Sequence, residues 1–216
     1  IAAVNIDISQ KLADVLPLYL GTVVILSFLL LILVFRSLIV PLVATGGFLL
    51  TVGATLGAVV AVYQFGWLSE VLGVTQAGPI LSFLPILLIG ILFGLAMDYQ
   101  LFVVSGMREA YVHGKSAKDS IDSGIHLGRP VVIAAAIIMV AVFGGFAFSH
   151  ITMIKPMGFG LAIGVLIDAF LVRLLLVPAL MSVIGKAAWY LPKWLDKLLP
   201  DVDVEGAKLE RSRSQA

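Results

Sequence analysis

An aspartate and a tyrosine, Asp98 and Tyr99, are adjacent in a run, 71–107, that contains no other charged residue. An ionised carboxylate in the hydrocarbon of a bilayer is costly, so it persists only when it is paired, hydrated or protonated. A carboxyl group that exchanges a proton, beside a phenol that donates or accepts a hydrogen bond, is what proton movement through a membrane requires. We therefore interpret Asp98 and Tyr99 as a candidate proton relay.

A second pair of ionisable residues, Asp168 and Arg173, lies in another apolar run. Five residues correspond to a rotation of about 140° in an α-helix, so the two are not an ideal pair within one helix, and each could contact another helix. Asp168 lies about 17 Å into its helix, too deep to reach the surface easily. Arg173 could instead extend to the surface as an anchor. A supporting role in the relay, as an ion pair, and a purely anchoring role both stay open.

The composition places these residues in a membrane protein. The chain of 216 residues is 61% hydrophobic and 12% charged, with a mean hydropathy of +1.12, whereas soluble domains contain about 45–50% apolar and about 25% charged residues. Each apolar run is close to or above the ~20 residues that a helix needs to cross a bilayer. Because the runs are continuous rather than alternating, they favour helices over a barrel. The sequence predicts an all-α integral membrane protein with five spans, at about 17–35, 37–63, 79–107, 130–149 and 157–184.

The segments outside the spans differ in character. The mixed polar and apolar residues 1–16 are predicted to be the end of an extracytoplasmic domain. The loop 107–129 is predicted to form a short amphipathic helix whose apolar side faces the membrane, through Ala110, Tyr111, Ile121 and Ile125. Residues 186–199 combine aromatic residues with lysines, which predicts an amphipathic helix in the headgroup layer. The polar residues 200–216 are predicted to be a disordered cytoplasmic tail.

Basic residues outside the spans predict the orientation. Eleven lie on one side of the predicted spans and two, Lys11 and Lys155, lie on the other. Since cytoplasmic loops carry an excess of Lys and Arg, the N-terminus is predicted to be outside and the C-terminus in the cytoplasm. The chain would thus be a multi-pass protein of the cell (inner) membrane.

Glycines four residues apart predict close helix packing. Such pairs allow helix backbones to approach each other in lipid. They occur in three of the five predicted spans: Gly53 and Gly57, Gly90 and Gly94, and Gly160 and Gly164. This frequency favours a tight bundle over loosely associated anchors.

Several classes of function are disfavoured by the sequence. It has no Cys, its three histidines have no metal-ligand spacing, and it contains no Walker A, HExxH or GxSxG motif. We expect no cofactor, no metal, no nucleic-acid partner and no enzymatic activity, and transport would draw its energy from an ion gradient or a partner. The first residue is Ile and no signal peptide follows, so the sequence resembles the later part of something longer.

Four motifs together resemble a known family. The stretches GLAMDYQLFVVSGMREAY, GRPVVIAAAI, MGFGLAIGVLIDAFLVRLLLVPALM and WYLPKWLDKLLP are similar to the C-terminal transmembrane half of MMPL proteins, of the resistance-nodulation-division (RND) superfamily. The resemblance covers about 1–200. It implies that 1–16 ends a porter domain and that 17–185 is a bundle that resembles helices eight to twelve of a twelve-helix transporter.

The resemblance also implies a function and its residues. MMPL proteins export lipids or glycolipids toward the cell envelope, driven by proton influx. Asp98 and Tyr99 match the relay pair of helix ten, which faces an equivalent pair on helix four, and Asp168 and Arg173 match a pair on helix twelve. The implied partners are a hydrophobic substrate, the membrane, and an N-terminal half with helices one to seven and the porter domains, without which the chain is incomplete. Two alternatives remain: an RND-type exporter of drugs or siderophores, and a non-transport membrane module of the sterol-sensing type.

Overall fold

The structure is a computed structural model that describes residues 2–73, 80–149 and 151–198. Every regular element in these ranges is helical, and five helices are long and apolar enough to cross a membrane. The predicted all-α membrane class is therefore confirmed. The predicted tail at 200–216 lies outside the described residues, as does residue 79, the predicted start of the third span.

The helices follow the chain in a simple order. The spanning helices are α1 (Ala2–Phe35), α2 (Ile39–Val59), α4 (Leu84–Val112), α5 (Ala117–Ala147), and a fifth span that consists of α6 (Lys155–Leu166), a π-helical segment (Ile167–Leu176) and α7 (Val177–Ile184). A π-helical turn, Val60–Gln64, extends α2, and α3 (Ser69–Leu72) is short. The chain continues after α7 with a 3₁₀ turn, Gly185–Trp189, and with α8 (Lys193–Leu198).

The first helix begins earlier than the sequence analysis predicted. Residues 2–16, expected to end a separate domain, form the first turns of α1 and continue into the membrane span without a break. The segment contains no Gly or Pro before Pro17 and is rich in Ala, Leu and Ile, so nothing in it ends a helix. The apolar span itself extends from Gln10 to Phe35.

The predicted separate helix within 107–129 is wrong. The helix α4 continues to Val112, and α5 begins at Ala117, where the Ser116 hydroxyl accepts a hydrogen bond from the Asp119 N–H (3.2 Å). The two helices thus form a hairpin in which α5 enters the fourth span directly. Membrane helices can extend past the hydrocarbon into water, and polar residues there do not end them. Ile121 is buried against the bundle rather than facing the membrane.

The segment after the fifth span is also divided differently from the prediction. One amphipathic helix was expected over 186–199, but Gly185, at a φ of +61°, ends α7, and the 3₁₀ turn and α8 are separate. Trp189 packs in the core, where its ring stacks on Tyr111 (5.3 Å between centroids) and Arg108 lies 5.5 Å from its ring centroid. Trp194 is exposed, as a headgroup-layer residue would be.

Two glycines of the fifth span lie at close helix contacts. A Cβ added at Gly160 would lie 2.9 Å from Val59 of α2, and one added at Gly164 would lie 2.6 Å from Leu92 of α4. Only glycine permits this approach, because any larger side chain would overlap its neighbour. The fifth span is thereby held against α2 and α4, the helices that carry the remaining site residues.

The other glycine pairs are placed differently. A Cβ at Gly90 would meet the hydroxyl of Tyr19 on α1 (2.7 Å), but a Cβ at Gly94, Gly53 or Gly57 would have no atom of a neighbouring described helix within 4 Å. Packing at these three was expected, and within the described chain it is absent because their faces of α4 and α2 point away from the bundle. Gly94 leaves an exposed strip on α4, one turn before Asp98.

Candidate proton-relay site

The ion pair of the fifth span is formed within one helix, contrary to the geometric expectation. The Arg173 Nε donates to Asp168 Oδ2 across 3.2 Å, and both residues are almost fully buried. The pairing is possible because residues 167–176 are π-helical, with hydrogen bonds between residues five apart, as from the Val177 N–H to the Val172 carbonyl. The wider turn brings residues five apart toward the same face, which an α-helix would not do.

The second oxygen of the aspartate contacts α2. The Thr51 hydroxyl lies 3.2 Å from Asp168 Oδ1 and 3.1 Å from the carbonyl of Gly47, and Thr51 is fully buried. Each carboxylate oxygen therefore has a polar partner, which is the arrangement that makes a buried charge tolerable. The sequence analysis missed Thr51, because a single hydroxyl in an apolar helix carries no charge that marks it.

The guanidinium of Arg173 is only partly satisfied. Its two terminal nitrogens are buried and have no hydrogen-bond partner among the described residues. Arginine has five N–H donors, and here only the Nε–H is bonded. Buried donors of this kind are rare in folded proteins and mark sites of functional strain or of unfilled polar contacts.

The Asp98 and Tyr99 side chains lie on different sides of α4. Tyr99 is buried, and its hydroxyl donates to the Met139 sulfur on α5 (3.2 Å). Asp98 is exposed on the outer face of α4, and its carboxylate has no hydrogen-bond partner among the described residues. Neighbouring residues of an α-helix point about 100° apart, which accounts for the difference.

The two pairs are nevertheless close in space. Tyr99 belongs to the same buried cluster as Ala169 and Val172, which neighbour Asp168 and Arg173 along the chain. The phenol is therefore packed near the buried acid of the fifth span, while Asp98, its neighbour in the chain, is on the exposed side of α4. A phenol can donate or accept a hydrogen bond, so the Tyr99 hydroxyl could link the two acids if it left the Met139 sulfur.

A further polar residue near this point was not identified from the sequence. Gln100 follows Tyr99, is fully buried, and neither atom of its amide has a hydrogen-bond partner among the described residues. Gln100 carries no charge, so the sequence does not mark it as a site residue. Its burial at membrane depth without a hydrogen-bond partner among the described residues is nevertheless unusual. The Gln100 amide and the terminal nitrogens of Arg173 thus lie on α4 and on the π-helical segment, which pack together.

Known proteins that are similar to this chain include one family and several individual relatives. Residues 1–198 match the MMPL family. The chain is 54% identical over 209 residues to "Membrane protein YdfJ" of Bacillus subtilis strain 168, covering 97% of this chain and 29% of that protein. It is 36% identical over 199 residues to "Mycolic acid-containing lipids exporter MmpL11" of Mycolicibacterium smegmatis, covering 92% of this chain and 21% of that protein.

A third relative has a named cargo. The "Trehalose monomycolate exporter MmpL3" of Mycobacterium tuberculosis is 34% identical over 196 residues, covering 91% of this chain and 21% of that protein. The chain thus spans less than a third of the length of each of these relatives. Its match to the family, in contrast, covers almost all of its own residues. The chain therefore belongs to the MMPL family, a family of RND-superfamily transporters.

Proposed function

We propose that this chain is the C-terminal membrane half of an exporter that moves lipids or glycolipids toward the cell envelope and is driven by the proton-motive force. The observation that carries the proposal is an exposed carboxylate in the middle of one span together with a buried ion pair in another. Asp98 is exposed at membrane depth, Asp168 is buried and paired with Arg173, and Tyr99 belongs to the buried cluster that includes residues of the paired segment. An intramembrane acid with no fixed partner is a group suited to bind and release a proton.

In this mechanism the proton binds to Asp98 from the outer side of the membrane. Protonation removes the negative charge of Asp98 from the exposed side of α4. It thereby weakens the attraction of the Asp98 side chain to hydrogen-bond donors on any helix that packs there. Tyr99 transmits this change toward Asp168, whose carboxylate is held in place by Arg173 and Thr51. The helices then shift between two packings that differ in charge at one position.

The complete transporter requires more than these residues. The exposed strip on α4 contains a glycine, Gly94, and a carboxylate, Asp98. A glycine allows another helix to approach closely, and a carboxylate is more stable against a helix with polar groups than against lipid. We assign this strip to helices of an N-terminal half, which would also bring the porter domains. The chain alone is expected not to transport.

The cargo is assigned to lipids because two relatives are named as exporters of mycolic-acid-containing lipids and of trehalose monomycolate. The test uses the natural full-length protein in proteoliposomes that contain a fluorescent glycolipid and, in parallel, a small amphiphilic drug. We expect glycolipid transport that needs a pH gradient and stops when a protonophore is added. Transport of the drug alone would favour the drug-exporter alternative, and glycolipid transport that is unchanged by the protonophore would contradict proton coupling.

A further inference from the structure

An apolar groove lies between α2 and the end of the fifth span. It has a volume of about 360 Å³ and is lined only by apolar residues, among them Leu42, Gly46 and Leu50 of α2 and Leu176 and Leu180 of the fifth span. Leu42, Leu50 and Leu180 are 64%, 47% and 41% exposed, so the groove opens outward from the bundle. At membrane depth, an opening of this kind faces lipid.

The groove exists because two glycines form its floor. A Cβ at Gly46 would have no atom within 4 Å among the described residues, whereas one at Gly47 would meet Val172 of the fifth span at 2.5 Å. Gly47 thus allows the two helices to touch, and Gly46 leaves space beside that contact. A side chain at position 46 would occupy the groove without disturbing the packing beneath it.

The groove is close to the basic end of the bundle. Leu42 lies three residues after the start of α2 and Leu180 four residues before the end of α7, or about 5 Å from each helix end. The 3₁₀ turn that carries the exposed Lys186 packs against the start of α2, where the Leu38 N–H donates to the Tyr190 carbonyl across 3.3 Å. An exposed cation therefore lies on the turn that follows one wall of the groove and packs against the helix that forms the other wall.

We propose that this groove binds an acyl chain of an anionic phospholipid, whose phosphate lies near Lys186. The apolar lining suits an acyl chain, and basic sites between membrane helices on the cytoplasmic side bind anionic headgroups. A zwitterionic lipid would satisfy the lining but not the lysine. A second copy of this protein would fill the groove only if it had a protruding surface of complementary shape, whereas an acyl chain is flexible and can adapt to the groove.

The groove is linked to the ion pair by two short connections. The Gly47 carbonyl in its floor is 3.1 Å from the Thr51 hydroxyl, which contacts Asp168. Leu176 in its wall belongs to the same π-helical segment as Arg173. A lipid in the groove therefore packs against the turn that permits the Asp168–Arg173 pair. An effect of the lipid on transport rests on the proposed function, but its binding does not.

The binding test uses the natural full-length protein in nanodiscs of equal parts phosphatidylglycerol and phosphatidylethanolamine, each lipid carrying a diazirine on one acyl chain in separate samples. We expect phosphatidylglycerol to label peptides containing 42–50 and 176–180. Gly46→Leu should abolish this labelling. Gly53→Leu, at an equally open position of α2 outside the groove, should retain it.

The headgroup is tested separately with Lys186→Gln. Removing one surface cation is expected to lower the preference for phosphatidylglycerol over phosphatidylethanolamine about fivefold, the equivalent of one basic residue near an anionic surface. Equal labelling by the two lipids in the unmodified protein would refute the anionic headgroup. Absence of label from the groove peptides, labelling that survives Gly46→Leu, or a protein–protein crosslink there would refute the site. The labelled peptides of the unmodified protein decide whether the groove binds lipid, even if a variant is poorly produced. The experiment needs no pH gradient, so its result does not depend on proton-driven transport.

Discussion

At the scale of single residues, the buried charge of Asp168 organises the site. Its two oxygens contact Arg173 and Thr51, from its own span and from α2 respectively. The pair is close to neutral as a unit, which makes its position inside the bundle tolerable. Removing one member would leave the other charge buried without compensation.

Substitution of the pair separates structural from functional roles. Asp168→Asn should destabilise the protein by about 3–5 kcal/mol because it leaves Arg173 buried and unpaired. The double variant Asp168→Leu with Arg173→Met removes both charges at similar volume and should restore most of this stability. Neither variant should transport. Thermal unfolding in detergent and transport in proteoliposomes measure the two effects, and normal transport by the double variant would show that the pair only holds the helix.

The Tyr99 hydroxyl should matter for rate more than for stability. Its hydrogen bond is to a sulfur, a weak acceptor, so Tyr99→Phe should change the free energy of unfolding by less than about 1 kcal/mol. The initial rate of proton-driven transport should fall, because the variant removes the hydroxyl that we propose links Asp98 to Asp168. Tyr63→Phe is the matched control: Tyr63 is also buried, and its hydroxyl has no partner among the described residues. Equal rates for both variants would exclude Tyr99 from the relay.

The residues of the site were predictable from charge and depth, but their pairing was not. Asp98, Asp168 and Arg173 are conspicuous because ionised groups are rare in apolar runs. The pairing of Asp168 with Arg173 depends on a π-helical segment. Hydropathy and spacing do not distinguish a π-helix from an α-helix, and in an α-helix residues five apart are poorly placed to pair. Thr51 and Gln100 are uncharged, so only their burial and contacts identify them.

At the scale of elements, glycines determine how closely the fifth span approaches its neighbours. Gly164 lies against both α4 and α2, since a Cβ there would be 2.6 Å from Leu92 and 2.9 Å from the Thr55 hydroxyl. The π-helical segment follows within three residues, so this contact also positions the ion pair.

A pair of glycine substitutions tests this packing. Gly164→Ala should destabilise the protein by about 1–3 kcal/mol, the usual cost of inserting a methyl group into a packed interior. Gly57→Ala, at a position with no atom within 4 Å among the described residues, should not reduce stability. Unfolding in mixed micelles by added dodecyl sulfate compares the two. Equal stability of the two variants would contradict the close contact.

The number and helical type of the membrane spans followed from hydropathy, whereas the ends of the helices did not. Continuous apolar runs identify spans because the bilayer requires them to be helical. Charged residues near 108 and 129 look like a loop, yet α4 and α5 extend through them as helices outside the hydrocarbon. Gly185 ended α7 as a glycine at positive φ commonly does, but the return of Trp189 into the core depends on tertiary contacts with Tyr111 and Arg108.

At the scale of the whole molecule, the five spans form a bundle with an exposed carboxylate, Asp98, in the middle of the third span. Asp98 lies beside Gly94 on a strip of α4 that the described helices leave uncovered. The chain spans less than a third of the length of these relatives. We propose that this strip contacts helices of the N-terminal half.

The orientation in the membrane can be tested with single cysteines, since these 216 residues contain none. Any cysteine elsewhere in the natural protein is replaced by serine. Lys118→Cys, exposed after the α4–α5 turn, should be protected from an impermeant thiol reagent in intact cells, and Gln76→Cys, outside the described residues, should react. Permeabilised cells serve as the control, in which both should react. The opposite pattern would reverse the predicted orientation.

The most direct test of proton coupling through this bundle is proton flux in the Asp98→Asn variant. The natural full-length protein is reconstituted with a pH-sensitive dye inside the liposomes, and proton entry is followed after glycolipid is added under a pH gradient. Asparagine has nearly the same size but cannot exchange a proton, so we expect an unchanged thermal unfolding temperature together with loss of both substrate-dependent proton flux and transport. Asp98→Glu, which keeps the carboxyl group, should retain part of both. Normal proton flux and transport in Asp98→Asn would remove Asp98 from the proton path and contradict the mechanism.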